Sequence, residues 1–211
     1  MPGLDSLIGK SLTKIVKDSL GQETTCKIEQ RLYEKHGMSL TKAVDEFPKL
    51  DLVLRELFGT SAEVIEKQLI QSVIVIEQSE KGDKKWIVIE DSHLTKLILE
   101  SFGDDDKKNI MNAVLDRPMI ISNILEQCNI AQTSGYRKIN SLIENGFLIV
   151  DGYEIKQDGK RVNKYASIFD NIRIQIEKNK VQVHVQPTKK SINNSRMIQV
   201  LTGTHHLVTA E

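Results

Sequence analysis

The 211 residues allow one large or two small domains, and 39% hydrophobic with 27% charged residues is typical of a globular protein. The 29 basic and 29 acidic residues cancel, which counts against a protein that coats nucleic acid non-specifically. The N-terminus lacks the features of a signal peptide, and the most apolar stretch, Leu69 to Ile76, is too short to cross a bilayer. We therefore expect a cytoplasmic protein without a membrane partner.

The first third of the chain is predicted to be helical. From Leu4 to about Ile76, apolar residues recur at the three-and-four spacing of amphipathic helices. Gly21, Gly37 and Gly59 are predicted to end helices, and Ser39 is predicted to cap a short one. This pattern predicts a bundle of about four or five helices.

A connecting segment is expected next. Gln78 to Lys85 is polar and predicts a loop or hinge. Trp86 to Glu90 has the composition of a strand, and Ser92 to Phe102 that of a helix ended by Gly103. Residues 79–103 are therefore predicted to connect two domains.

Three helices are predicted after the connector. The carboxylates of Asp104 to Asp106 suit the positive end of the first helix, which Arg117-Pro118 interrupts. Met119 to Leu125 are predicted to form a short second helix. After a tight turn, Gln132 to Asn145 form the third helix, which Gly146 ends.

Two hairpins are predicted after a short apolar strand, Phe147 to Val150. The first, Tyr153 to Tyr165, turns at Asp158-Gly159, which is a strong hairpin signal. The second, Ile172 to Val185, has one apolar and one polar face, so it is a candidate for dimerisation or for extending the sheet. Beyond Pro187 we expect a loosely ordered tail.

The third helix and the first hairpin carry the residues that favour DNA binding. Ile139 and Leu142 define a buried helix face, and Gly135 beside it would let a neighbouring helix approach closely. The exposed helical residues are of the types that contact phosphates and base edges. The candidate DNA-binding residues of the helix are Gln132, Thr133, Ser134, Tyr136, Arg137, Lys138 and Ser141. Those of the hairpin are Lys156, Lys160, Arg161 and Lys164.

Each of these features has an ordinary structural explanation. A polar helix face is usually a solvated face, and a basic hairpin tip often only protects a sheet edge. The ordered series of helix, short helix, turn, polar-faced helix, apolar strand and basic hairpin is much less common by chance. This series favours DNA binding.

The same segment resembles a known family. Asn129 to Val150, NIAQTSGYRKINSLIENGFLIV, is similar to the recognition helix and first wing strand of winged-helix regulators related to the ArsR and MarR groups. It looks most like archaeal versions, in which a Tyr-Arg pair precedes Leu-Ile-Glu-x-Gly. The resemblance covers roughly residues 104–186 and implies a transcription regulator that binds double-stranded DNA. Ala131 departs from the usual Ser, Thr or Pro before the helix, so we expect a frayed or shifted helix start.

A second resemblance covers the N-terminal helices. Leu20 to Gly59 is similar to a small helical domain of archaeal proteins, described in ammonia-oxidising archaea as an output domain. Its distinctive pieces are Lys35-His36-Gly37, Phe47-Pro48 and Leu57-Phe58-Gly59. This resemblance implies a domain boundary and an archaeal origin, but no activity.

Other chemistry finds little support in the sequence. His184, His205 and His206 are expected to be solvated and not to bind a metal. Cys26 and Cys128 lack metal-type spacing and are expected to be small buried residues, with a redox pair as the alternative. We find no phosphate-binding glycine loop, nucleophile elbow or acid–base pair, so we expect neither an enzyme nor a cofactor.

The prediction is a mainly α protein with small β elements: an N-terminal helical bundle, then a winged helix–turn–helix domain with an extra C-terminal β-hairpin. The expected function is a homodimeric DNA-binding transcription regulator. One alternative is an adaptor that binds another protein, including through the N-terminal helices. Another is that those helices sense a small molecule. The predicted ranges are 1–78 for the bundle, 79–103 for the connector, 104–186 for the winged helix and 187–211 for the tail.

Overall fold

The computed structural model describes residues 3–77 and 85–204, which form a mainly helical protein with two small antiparallel sheets. The predicted combination of mainly α with small β is confirmed. The helices are α1 (Leu4–His36), α2 (Leu40–Asp45), α3 (Phe47–Phe58), α4 (Ala62–Gln71), α5 (Ser92–Gly103), α6 (Asp105–Ala113), α7 (Ile121–Gln127), α8 (Gln132–Glu144), α9 (Lys189–Asn194) and α10 (Arg196–Thr202). The strands are β1 (Ile74–Glu77), β2 (Trp86–Ile89), β3 (Met119–Ile120), β4 (Leu148–Ile155), β5 (Arg161–Ser167), β6 (Phe169–Glu177) and β7 (Lys180–Pro187). Within the described ranges, every helix is too short or too polar to cross a membrane.

The predicted boundaries of the N-terminal helices are largely confirmed. Gly21 adopts φ 74° and ψ 167°, so it divides α1 into two helical halves. Gly37 ends α1 in the left-handed conformation and donates its N–H to the Tyr33 carbonyl. The Ser39 hydroxyl caps α2 by accepting the N–H of Lys42. The sequence predicted these helix boundaries correctly because each depends on the conformation or hydrogen bonding of residues that are close together in the chain.

The helical region ends earlier than the sequence predicted. Residues Ile74–Glu77 form β1, whereas the helical pattern was expected to reach about Ile76. The β-branched side chains of residues 74–76 suit a strand, and pairing with β2 places Ile74 opposite Ile89. The predicted strand at Trp86 and the helix ending at Gly103 are confirmed. The loop predicted at 78–85 lies, except for Lys85, outside the described residues.

The C-terminal hairpin and the segment after residue 85 form one sheet. Its strand order is β1-β2-β7-β6, and β2 pairs with β7 so that Ile87 lies opposite Val185. Lys178 and Asn179 both have positive φ, as a two-residue hairpin turn of type I′ requires. The hairpin therefore extends the sheet of β1 and β2, and it does not extend the separate sheet of order β3-β5-β4.

The short second helix of the C-terminal half begins later than predicted. Met119 and Ile120 form strand β3, with Met119 opposite Tyr165 of β5, and α7 begins only at Ile121. Both β3 side chains are buried. An apolar run of this length does not distinguish a strand from a helix, and the distant partner strand decides the outcome.

The expected loosely ordered tail contains two packed helices between residues 188 and 204. Met197, Ile198 and Val200 of α10 are buried. Asp5, at the start of α1, accepts the N–H of Arg196 at 2.9 Å and the hydroxyl hydrogen of Ser195. This carboxylate sits at the N-terminus of α10, where it offsets the positive end of the helix. The two ends of the described chain are thereby joined.

Among residues 3–77 and 85–204, one hydrophobic core runs through both halves of the chain, and Gly146 shows how closely they meet. A Cβ atom on Gly146 would lie 2.7 Å from the Gly3 carbonyl oxygen and 2.9 Å from the Leu7 nitrogen. Gly146 also has φ +80°. The first turn of α1 therefore packs directly on the turn that follows α8, while Leu7 and Phe147 are completely buried.

A cluster of ionisable side chains lies where α3, α4 and α10 meet. Asp51 accepts a hydrogen bond from Arg55 Nε at 2.5 Å and lies 3.8 Å from the Arg196 guanidinium. Glu66 is only 1% exposed, and its carboxyl group lies near that of Asp51. Burial, followed by the nearby Asp51 carboxylate, raises the pKa of Glu66 to about 8. Glu66 is therefore largely protonated at neutral pH.

Candidate nucleic-acid interface

A tight turn sets α8 against α7. Asn129 adopts φ 54°, and the N–H of Ile130 bonds to the Leu125 carbonyl at 3.0 Å. A Cβ on Gly135 would lie 2.3 Å from Leu125 Cδ2, so the two helices touch at a position where a larger residue would displace its neighbour. The predicted close approach at Gly135 is confirmed.

Helix α8 begins at Gln132, as the sequence predicted. Ala131 occupies the N-cap position without a side-chain bond, and its carbonyl accepts the N–H of Gly135 at 2.9 Å. The Ser134 hydroxyl donates to the same carbonyl. The absent cap therefore does not shift the helix, but its first N–H groups receive no acceptor from the capping side chain.

One face of α8 is exposed along its length. Thr133, Tyr136, Arg137 and Asn140 lie at three-and-four spacing on this face, and Gln132 precedes them. Tyr136 is 44% exposed, and Arg137 forms no ion pair within the described ranges. Asn140 was not among the predicted contact residues, although its position one turn after Tyr136 and Arg137 indicates this face.

Two candidate residues of α8 point towards α6 instead. Lys138 Nζ lies 2.7 Å from Asp104 Oδ1 and 3.0 Å from Asp106 Oδ2, and its side chain is only 20% exposed. Ser141 accepts a hydrogen bond from Lys107 Nζ at 3.3 Å. This placement differs from the sequence prediction, which put Lys138 and Ser141 on the DNA-facing side.

The acidic start of α6 has two roles. Asp104 caps the helix, as expected, by accepting the N–H of Lys107 at 3.1 Å. Its hydrogen bond with Lys138 is also the main reason that the pKa of Asp104 is lowered, and the same bond raises the pKa of Lys138. Both groups remain charged at neutral pH, so the pair anchors α8 to α6.

A basic hairpin, β4–β5, follows α8 directly. Its tip closes with a bond from the Lys156 N–H to the Lys160 carbonyl, and Asp158 accepts the Lys160 N–H. The predicted turn at Asp158-Gly159 is confirmed. Lys156, Lys160 and Arg161 are exposed.

Three basic side chains of the hairpin have partners within it, and one is Lys160, whose Nζ lies 3.4 Å from Asp158 Oδ2 in an exposed ion pair. The Arg161 guanidinium lies 3.6 Å above the centre of the Tyr153 ring. Lys164 Nζ lies 3.6 Å from Glu154 Oε2, and its side chain is 34% exposed. Arg161 remains exposed at the surface of the hairpin, whereas the charge of Lys164 is partly neutralised.

Other predicted features lie elsewhere. His184 was expected to be solvated, but it is 6% exposed and its Nδ1 lies 3.3 Å from Glu77 Oε2. Cys26 is exposed and Cys128 half-buried, and neither forms a disulfide. His205 and His206 lie outside the described residues. Within 3–77 and 85–204, no three metal-ligating side chains converge.

No family model, curated protein or solved structure matches this chain. The resemblances to winged-helix regulators and to the archaeal helical domain therefore remain predictions from the residues.

Proposed function

We propose that α6 to β5 form a winged helix–turn–helix module and that the protein is a DNA-binding transcription regulator. The observation that carries this proposal is the exposed face of α8, with Arg137 and Asn140 one turn apart, beside a hairpin with a basic tip. In helix–turn–helix proteins, the second helix of the motif enters the major groove and a following hairpin can contact the backbone.

The exposed face of α8 has the chemistry for reading bases. Arg can donate two hydrogen bonds to guanine, and Asn can form a bidentate pair with adenine. Thr133 and Gln132 precede them and suit phosphate or base contacts. Because Lys138 is paired with Asp104 and Asp106, we do not propose that it contacts bases.

Phosphate contacts would come from two places. Lys156, Lys160 and Arg161 are exposed on the hairpin, where Asp158 is the acidic residue of the tip. The uncapped N-terminus of α8 offers N–H groups and a positive dipole end to a phosphate. The positive charge is thus local, which is compatible with a net charge of zero for the whole chain.

Selection from a random double-stranded DNA library tests the proposal. We expect the full chain to enrich a defined sequence, and its affinity for that duplex to fall steeply as salt rises from about 50 to 200 mM. Fluorescence anisotropy measures both affinity and salt dependence. No enrichment, together with no binding at about 50 mM salt, would contradict the proposal.

Two substitutions separate base contacts from phosphate contacts. Arg137→Ala is expected to lower affinity for the enriched duplex by roughly 10- to 100-fold and to relax the preference at one base position. Lys160→Ala should weaken binding to all duplexes and reduce the salt slope by about 1. Lys27→Ala removes an equal charge from an exposed position of α1 and should leave binding unchanged. Equal losses in all three variants would indicate non-specific charge attraction.

A protein-binding adaptor is the second candidate, because the same region exposes apolar side chains. Tyr136 and Tyr153 are 44% and 48% exposed, and Val150 and Ile155 are 47% and 66% exposed. Aromatic residues are enriched at protein interfaces. Absence of DNA affinity even at low salt, with retention of a protein partner that Tyr153→Ser releases, would favour this function.

A further inference from the structure

Strand β6 is an unpaired edge of the four-stranded sheet. It has nine residues and pairs, within the described part of the chain, only with β7. Ile174 and Ile176 on this strand are 42% and 70% exposed, and Val181 of β7, opposite Ile176, is 40% exposed. An exposed edge with an apolar face is a template for pairing with another strand.

The sequence of β6 is complementary to itself when it runs antiparallel. In a pairing centred on Gln175, Arg173 of one copy faces Glu177 of the other, and Ile174 faces Ile176. Both charged pairs recur by symmetry, as in any two-fold interface. Neither Arg173 nor Glu177 forms an ion pair within residues 3–77 and 85–204. No ion pair of the described residues therefore competes for either charge, although Arg173 stacks on the Trp86 ring.

The backbone register of the hairpin favours the same pairing. Residues that flank a two-residue turn form a hydrogen-bonded pair, so Glu177 bonds towards β7 and the direction alternates along the strand. The N–H and C=O groups of Ile174 and Ile176 consequently face the open edge. In the centred register these two residues would exchange backbone bonds between copies. Arg173 and Glu177 would then form non-hydrogen-bonded pairs, in which side chains lie closest.

The surroundings of β6 suit a second strand. The Arg173 guanidinium lies 4.7 Å above the centre of the ring of Trp86 on β2, so it leans over β7 and must turn towards the open edge to meet Glu177 of a second copy. On the apolar face, a groove of about 320 Å³ lies beside Ile174 and is lined partly by Phe102, Met111 and Leu115. An isoleucine from a second copy would continue this apolar surface and exclude water from it.

We infer that two copies of this chain associate through antiparallel pairing of their β6 strands, centred on Gln175, to form a continuous eight-stranded sheet. The partner is a second copy because the charge order along β6 complements itself. This inference does not depend on DNA binding, and its test is carried out without DNA.

Charge reversal and mixing test the pairing. Sedimentation velocity of the full chain should show a dimer at about 100 µM protein. R173E and E177R should each weaken association at least about tenfold, because like charges then face each other twice. An equimolar mixture of the two variants should restore a heterodimer, and the double variant R173E/E177R should restore the homodimer. K160E at the tip of the basic hairpin is the matched control and should stay dimeric.

Three results would overturn the inference: a monomeric wild-type chain, single variants that remain dimeric, or a mixture that does not associate. E177R leaves the stacking of Arg173 on Trp86 intact. If R173E folds poorly, the association of E177R alone therefore still tests the pairing. Because DNA is absent, a failure here leaves the DNA-binding proposal standing. Conversely, a dimer that binds no DNA would contradict only the proposed function.

Discussion

Gly146→Ala is expected to lower the free energy of unfolding by roughly 2–4 kcal/mol. Two costs combine at this position. The left-handed φ of +80° disfavours any residue with a Cβ, and that Cβ would lie 2.7 Å from the Gly3 carbonyl oxygen. Because the obstacles are backbone atoms of Gly3 and Leu7, a side-chain rotation cannot relieve the overlap. Urea denaturation followed by circular dichroism measures the loss.

Gly152→Ala is the matched control for the conformational cost. Gly152 has φ +90°, but no atom lies within 4 Å of the position that its Cβ would take. This substitution should therefore cost only about 1–2 kcal/mol, the penalty of the left-handed conformation alone. The difference between the two variants measures the contact of α1 with the turn after α8. Equal losses would show that α1 does not pack on that turn in solution.

The packing of α1 on the turn after α8 concerns the division of the chain into domains. The domain boundary predicted before Asp104 stays a prediction, and across it the first turn of α1 packs against Gly146 while Asp5 accepts the N–H of Arg196 in α10. A large loss in Gly146→Ala would mean that the N-terminal helices support the turn leading from α8 into the basic hairpin.

Local signals explain most of what the sequence predicted correctly. The caps at Ser39 and Asp104, the helix end at Gly37 and the turn at Asp158-Gly159 each depend on residues within a few positions of one another. Such features follow from the dihedral preferences and hydrogen-bonding capacity of single residues. They placed the candidate recognition helix and the basic hairpin at nearly their observed boundaries.

Contacts between residues that are far apart in the chain explain the features that were not predicted from the sequence. Lys138 pairs with Asp104, 34 residues away, so a residue suited to DNA contact anchors a helix instead. The packed C-terminal helix depends on Asp5, 191 residues from Arg196. Strand β3 forms because β5 provides its partner. None of these partners can be identified from the spacing of nearby residues, whereas the missed Asn140 required only the helical period.

The buried carboxyl group of Glu66 is expected to make the protein less stable as pH rises. Its pKa is about 8 in the folded chain and near 4.5 when exposed, so the folded state holds a proton that the unfolded state has released. Stability from this group is complete below about pH 4.5 and is lost as pH rises through about 8. The shift, which already includes the opposing effect of nearby Arg55 and Arg196, corresponds to roughly 4–5 kcal/mol as an upper limit.

Glu66→Gln should remove this pH dependence, because the amide is neutral at every pH. Near pH 5 the variant and the wild type should be similarly stable, whereas near pH 9 the variant should be more stable by roughly 2–4 kcal/mol. Glu63→Gln on the same helix is the control, since its carboxylate is 46% exposed and bonded to Lys67. That change should alter stability by less than about 1 kcal/mol at either pH. Parallel pH profiles for Glu66→Gln and the wild type would show that Glu66 is ionised in the folded protein, and the docking of α10 beside it would then have to accommodate a buried negative charge.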